Sequence, residues 1–352
     1  IRTNMKFGII GSGSWGTAIA KILTDNNNSI YWWIRSDKTV IQFRNRRHNP
    51  HYLSSAYFDT TLLHLSTDVN EVIRNTDCLV IAVPSSYVTD VLGSLSKDIF
   101  EDKKIVSAIK GILPANNLLL NDYLKKEFNV LLKNYFTVLG PCHAEEVAAE
   151  KLSYLTFSGL DEKVTGNIAS YFKTPYLNTL HNNDIYGVQY AAVLKNIYAI
   201  GAGMAHGLEY GDNFLSVLIA NSADEMAGFL RKAGIQNVEV GSIEHSVSHT
   251  RGEKKQITNY AASVYLGDLL VTCYSLYSRN RTFGNMIGKG YSVQAAQLEM
   301  NMVAEGYNAS KCINSINKKV KAEMPIAEII YKILWEHIAA EEGLEKIEKT
   351  LV

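Results

Sequence analysis

Near residue 185 the apolar residues of this 352-residue chain change their spacing, and that change limits what each half can become. Upstream, short runs rich in β-branched residues recur at residues 6–10 (KFGII), 30–34 (IYWWI), 79–83 (LVIAV), 105–109 (IVSAI) and 136–139. Each continues into a loop and a helical pattern, the first of them the Ala/Ile-rich stretch 15–23. Strand–helix alternation at this spacing predicts parallel βαβ units with helices on both faces of a sheet. Runs at 154–157 and 176–180 extend that sheet. Downstream the period becomes that of a helix, with segments at about 187–204, 213–233, 260–277, 292–299, 307–317 and 326–339, and no strand is expected. The reading is a doubly wound α/β domain of the Rossmann type over residues 5–187, followed by an all-α domain over residues 188–345.

The first strand runs straight into Gly11-Ser12-Gly13-Ser14-Trp15-Gly16, and a helix opens there. In that setting the first glycine permits a tight turn, the second lets backbone approach a pyrophosphate, and the third lets helix pack on strand. The helix N-terminus supplies free N–H groups for phosphate. Past the second strand, where an acidic residue would bind a ribose hydroxyl, the chain has Arg35, with Asp37 two residues later. Arg35 suits a 2′-phosphate or an adenine face, so NADPH is expected to be accepted, with NADH as an alternative. Asp37 reads as the N-cap of the next helix. Ligands of open α/β sheets sit beyond the carboxyl ends of strands, which marks Pro84-Ser85, Lys110-Gly111 and the loop 140–144 (GPCHA).

In the second half, two lone charges lie in apolar stretches: Lys195 within 189–205 and Asp268 within 266–284. A buried charge is costly unless paired, so each is the expected partner of the other. A desolvated lysine suits proton transfer, because burial draws an ammonium toward working pH. The Arg279-Asn280-Arg281 cluster that follows reads as an anion clamp. From the residues alone the clamp could also grip a carboxylate, leaving a hydroxy-acid dehydrogenase open, as well as a dinucleotide-binding regulator without turnover.

Lys+Arg and Asp+Glu both number 35, so no net field invites nucleic acid or an anionic membrane. Cys78, Cys142, Cys273 and Cys312 lack CxxC spacing and read as reduced thiols. His245 and His249 stand four apart without an intervening HExxH glutamate or third ligand, so no metal is expected. No signal-peptide pattern precedes Met5, residues 1–4 read as an expression leftover, and no apolar run predicts a membrane span. The expected compartment is the cytoplasm, and the expected assembly a homodimer.

These residues resemble the bacterial type of NAD(P)-dependent glycerol-3-phosphate dehydrogenase, which reduces dihydroxyacetone phosphate to sn-glycerol 3-phosphate for glycerophospholipid synthesis. The likeness runs from GSGSWGTA through VPSS, AIKGI, GPCHAEEVA, GVQYAAVLKNIYAIGAG, LGDLLVTCYSLYSRNRTFG and AEGY to EMPI. The resemblance implies that Lys195 is the proton donor or acceptor, with Lys110 and Asp268 beside the reaction. It implies substrate contacts at Lys110, Gly140, Cys142, Lys195, Asp268, Thr272, Ser278, Arg279 and Asn280. Cofactor contacts are implied at Gly11, Gly13, Ser14, Trp15, Gly16, Arg35, Lys110, Ala144, Arg279, Val303 and Glu305. The chain departs from the family at Cys142, where Ser or Thr is usual, and at Ala220-Asn221-Ser222, where Thr-Arg-Gly is usual. A polar segment at 235–258 makes the chain longer than the family pattern.

Overall fold

The computed structural model describes residues 5–235, 246–250, 253–257, 263–300 and 304–352. The chain divides into two compact units, Ile1–Ile185 and Tyr186–Val352.

The first unit is built on eight strands: β1 (Phe7–Ile10), β2 (Ile30–Trp33), β3 (Leu63–Ser66), β4 (Cys78–Ile81), β5 (Lys104–Ser107), β6 (Tyr135–Leu139), β7 (Ser153–Ser158) and β8 (Leu177–Asn182). Between them lie α1 (Ser14–Asp25), α2 (Asp37–Arg46), α3 (Val69–Arg74), α4 (Val88–Leu92), α5 (Leu120–Phe128), α6 (Ala144–Ala148) and α7 (Glu162–Ser170). The sheet order is β3-β2-β1-β4-β5-β6-β7-β8. Strands β1, β4 and β6 are buried along their whole length, as strands covered on both faces must be. Alternate residues feed two cores: Ile9, Val80 and Val106 pack on one face, and Ile10, Leu79, Ile81 and Ile105 on the other. The order reverses between β1 and β4, the place where open α/β sheets form a crevice.

Two details depart from the sequence reading. Strand β3, sequence LHLS, was not expected; it is a half-exposed edge strand paired only to β2, so its four residues carry no apolar run. Strand β7 runs antiparallel to β6 and parallel to β8, so β7–α7–β8 extends the sheet as a βαβ unit of reversed direction.

The second unit holds α8 (Ile185–Gly207, reaching back one residue into the first), α9 (Asp212–Lys232), α10 (Asp268–Tyr274), α11 (Arg279–Gly288), α12 (Val293–Glu299), α13 (Glu305–Val320), α14 (Pro325–Trp335) and α15 (Ala340–Glu348). The expected absence of strands is corrected by an antiparallel pair, β9 (Ser246–Thr250) and β10 (Glu253–Ile257), in the polar segment where no apolar alternation announces it. The helix expected at 260–277 is also corrected. A π-helical turn at Ser263–Gly267 leads into α10, which ends at Tyr274, and Ser278 then caps a new helix. Among the described residues no helix is long and apolar enough to cross a membrane.

From Ile185 to Ala205 every residue of α8 except Tyr186 and Tyr190 is buried. Helix α11 crosses it at backbone contact. A Cβ on Gly203 would strike the Arg281 carbonyl, and one on Gly284 would strike the Ile200 carbonyl. Only glycine on both sides lets the two main chains come so close, and this brings the start of α11 near the middle of α8.

Candidate active site

In the first unit the 11–16 turn lies at the carboxyl end of β1. Gly11 has φ +119, a left-handed value that disfavours any side chain, and a Cβ there would collide with the Ala82 backbone beyond β4. A Cβ on Gly16 would strike the Gly11 carbonyl, so α1 could not start where it does with any other residue. Around Gly13, by contrast, an added Cβ would meet nothing within 4 Å. That side of the turn has room for a phosphate, and α1 begins there, with the positive end of its dipole toward that space. The buried Trp15 indole N–H meets no acceptor among the described residues. These features fit a dinucleotide pyrophosphate.

Lys110, beyond the end of β5, gathers the predicted loops. Its Nζ donates to the Gly140 carbonyl at 3.2 Å and lies 5.5 Å from the centre of the Trp15 ring, within cation–π range. Gly140 takes φ +138 to turn out of β6. Cys142 is buried, and Ala144 is the buried first residue of α6. Arg35 is exposed just past β2. The N-cap assigned to Asp37 is corrected: Ser36 caps α2 by accepting from the Thr39 N–H, while Asp37 is held by the Thr67 hydroxyl at 2.8 Å.

In the second unit Lys195 and Asp268 meet. Lys195 Nζ is 2.5 Å from Asp268 Oδ1, with side chains 4% and 1% exposed. Nζ also donates to Thr272 Oγ1 at 2.9 Å. The single Thr272 hydroxyl proton goes back to the Asp268 carbonyl at 2.5 Å, so the oxygen presents lone pairs to the ammonium. Asp268 lies inside a helical stretch, as the apolar run suggested, at the point where the π-helical turn passes into α10.

The expected clamp is the first turn of α11. Ser278 Oγ accepts from the Arg281 N–H at 3.3 Å, which places Arg279 and Asn280 at a helix N-terminus with backbone N–H groups as further anion donors. The sequence carried this cap as a serine ahead of a polar turn. Asn280 is engaged at both ends: it donates to Asn196 Oδ1 and accepts from the Gly306 N–H, each at 2.9 Å. Glu305 therefore stands next to a residue tied to this cluster, while Val303 lies outside the described residues, as does His245.

Asn196, beside the lysine, supported the reading of Lys195 but was given no site role, and Glu225 was not singled out. Glu225 on α9 is buried, accepts from the Ile326 and Ala327 N–H groups at 2.8 and 2.9 Å, and takes the Tyr198 hydroxyl at 3.2 Å. Burial, opposed by these hydrogen bonds, pushes its carboxyl up to about 7. All four cysteines are buried and unpaired as disulfides; burial raises the Cys273 thiol, next to Thr272, to about 12. Such a thiol is inert.

The two units correspond to two family descriptions. Residues 6–165 match the N-terminus of NAD-dependent glycerol-3-phosphate dehydrogenase, and residues 184–345 match its C-terminus. The chain is 34% identical over 344 residues to a glycerol-3-phosphate dehydrogenase (NAD(P)+) of Listeria innocua, covering 97% of this chain and 96% of the relative. It is 31% identical over 343 residues to the enzyme of the same name from Bacillus subtilis, covering 97% and 93%. A crystal structure of glycerol-3-phosphate dehydrogenase from Coxiella burnetii shares the fold with a TM-score of 0.84, at 24% identity over 97% of this chain and 98% of the other. With both halves matched in chain order, and relatives above 30% identity along nearly its whole length, the chain belongs to the NAD-dependent glycerol-3-phosphate dehydrogenase family.

Proposed function

We propose that the chain interconverts dihydroxyacetone phosphate and sn-glycerol 3-phosphate with NADPH or NADH, residues 5–187 holding the cofactor and residues 188–345 carrying the catalytic and phosphate-binding groups. The observation that carries this reading is the buried Lys195–Asp268–Thr272 cluster, with the basic first turn of α11 tied to its neighbour Asn196. When bound, the reduced dinucleotide supplies a hydride to the carbonyl carbon. Lys195 gives a proton to the carbonyl oxygen as negative charge builds there, and in the reverse direction removes it. Asp268 and Thr272 hold two of the ammonium's three N–H bonds, which fixes its direction and keeps it charged until the transfer. Arg279 pairs with the phosphate through its planar fork, aided by first-turn amides of α11, and Asn280 adds its second amide proton. Ser278 shapes that turn as its cap. The 11–16 turn takes the pyrophosphate, with Trp15 and Ala144 on the cofactor, and Lys110 with Gly140 and Cys142 serves the substrate mouth.

The enzyme is proposed to act as a cytoplasmic homodimer and to supply the glycerol backbone of phospholipids. The test is loss of nicotinamide absorbance with dihydroxyacetone phosphate beside dihydroxyacetone without phosphate. Rapid oxidation with the phosphorylated ketone alone is expected. Equal turnover of both, or of neither, would sink the reading.

A further inference from the structure

We propose that Asn49, from the loop after α2, is a positioning residue for the cofactor: it turns the middle peptide of the 11–16 turn so that its N–H faces the pyrophosphate. This deepens the cofactor reading above and rests on it.

Asn49 is 1% exposed, and both polar atoms of its side chain are engaged. Nδ2 donates to the Ser12 carbonyl at 2.9 Å and to Thr17 Oγ1 at 2.8 Å. The orientation of the amide is not ambiguous. Its Oδ1 accepts from the His51 backbone N–H at 3.0 Å, and a backbone N–H can only donate. Thr17 has one hydroxyl proton, which goes to the Gly13 carbonyl at 2.9 Å, so towards Asn49 it can only accept. On the other flank, the buried Trp32 indole N–H donates to the Gly11 carbonyl at 2.9 Å.

Three consecutive carbonyls, of Gly11, Ser12 and Gly13, are thus each drawn toward the fold by a fixed donor. In a trans peptide the C=O of one residue and the N–H of the next point in opposite directions. Holding these carbonyls inward therefore turns the N–H groups of Ser12, Gly13 and Ser14 outward, on the side where Gly13 leaves open space. Trp32 and Thr17 belong to the β1–α1–β2 unit itself. Asn49 does not, and its bond to Ser12 orients the peptide that joins Ser12 to Gly13. Without it that peptide is free to rotate and set a carbonyl oxygen against the phosphate charge.

The experiment uses the full chain and two variants, Asn49→Asp and Thr17→Val. The first keeps the acceptor for His51 but places an oxygen against the Ser12 carbonyl. The second removes the Thr17 anchor and leaves the Ser12 bond. NADPH affinity is read by nicotinamide fluorescence, ADP-ribose by competition, and each variant's kcat and thermal midpoint are recorded. Asn49→Asp should weaken NADPH and ADP-ribose at least tenfold, with kcat at saturating NADPH and KM for dihydroxyacetone phosphate nearly unchanged; Thr17→Val should weaken both ligands about threefold. Unchanged affinity in folded Asn49→Asp overturns the proposal, as does a kcat that falls in step with affinity. If Asn49→Asp does not fold, unchanged affinity in Thr17→Val overturns it. Wild type that binds neither NADPH nor NADH would instead end the cofactor reading itself.

Discussion

The nucleotide turn of the first unit and the lysine cluster of the second handle charge by opposite means. The turn holds no ionised side chain of its own and presents main-chain N–H groups, aimed by neutral donors from Trp32, Asn49 and Thr17. The cluster instead keeps two full charges almost wholly out of water, at 4% and 1% exposure, and depends on their staying together. Loss of one neutral pin loosens a turn. Loss of one partner in a buried ion pair strands the other, which typically costs about 3–5 kcal/mol. The two regions should therefore fail differently when altered.

The largest expected effect is in the cluster. Lys195→Ala should lower kcat by about 10² to 10⁴ and destabilise the fold by about 3 kcal/mol, because Asp268 is left buried without its cation. NADPH affinity, read by fluorescence titration, should hold. The double variant Lys195→Met/Asp268→Asn should regain most of the stability in denaturant unfolding and none of the activity. A double variant that stays as unstable as the single one would show that the stranded charge of Asp268 is not what destabilises the fold.

Next comes Glu225, a buried carboxyl with no cation paired to it among the described residues. Its folded carboxyl titrates near 7 against an ordinary 4.5, because burial dominates. Below about 4.5 the group is protonated in both states. Between there and about 7 the unfolded chain ionises while the folded one keeps its proton, so stability falls as pH rises, by about 3 kcal/mol over the interval. The thermal midpoint of wild type relative to Glu225→Gln should accordingly drop from pH 5 to pH 8. Parallel curves would show that Glu225 ionises within the fold as freely as outside it.

Arg279→Ala should raise KM for dihydroxyacetone phosphate by about thirtyfold, the worth of about 2 kcal/mol for a charge-assisted contact. A ketone without phosphate should be spared, and equal losses would move Arg279 from phosphate to fold. The smallest effect belongs to the first unit. Arg35→Asp should cut the NADPH-over-NADH ratio of kcat/KM at least tenfold, about 1.4 kcal/mol of differential binding. A constant ratio would place cofactor choice away from β2.

What the sequence disclosed follows the same divide. The six residues 11–16 are contiguous and flanked by strand and helix, so their arrangement could be read directly. Lys195 and Asp268, 73 positions apart, could be matched only because each was a lone charge in an apolar stretch. The donors that aim the turn had no such mark. Asn49 lies in a polar loop, and nothing local distinguishes it from its neighbours. The Asn196–Asn280–Gly306 chain and the carboxylate of Glu225 depend on how α8, α9, α11, α13 and α14 pack, which apolar periodicity does not encode. Strand β3 alternates over only four residues, too few to stand out, and the polar β9–β10 pair carries no apolar alternation at all. The break between α10 and α11 was present as Ser278, masked by the apolar run before it.

Helix α8 has one more consequence, and it concerns the order of synthesis. A helix buried on nearly all sides cannot shield itself, and past Ile185, which packs in a core of the first unit, it takes partners from later in the chain. Tyr190 packs on Phe229, Tyr198 on Glu225, Lys195 on Asp268, Asn196 on Asn280 and Gly201 against Ile330. A ribosome adding about 5–20 residues per second needs roughly 6 to 26 seconds to deliver the helices that cover it. During that interval an apolar stretch with a single charge is exposed on the nascent chain, which makes α8 the segment where chaperones have most to protect and where aggregation of an overproduced chain should begin.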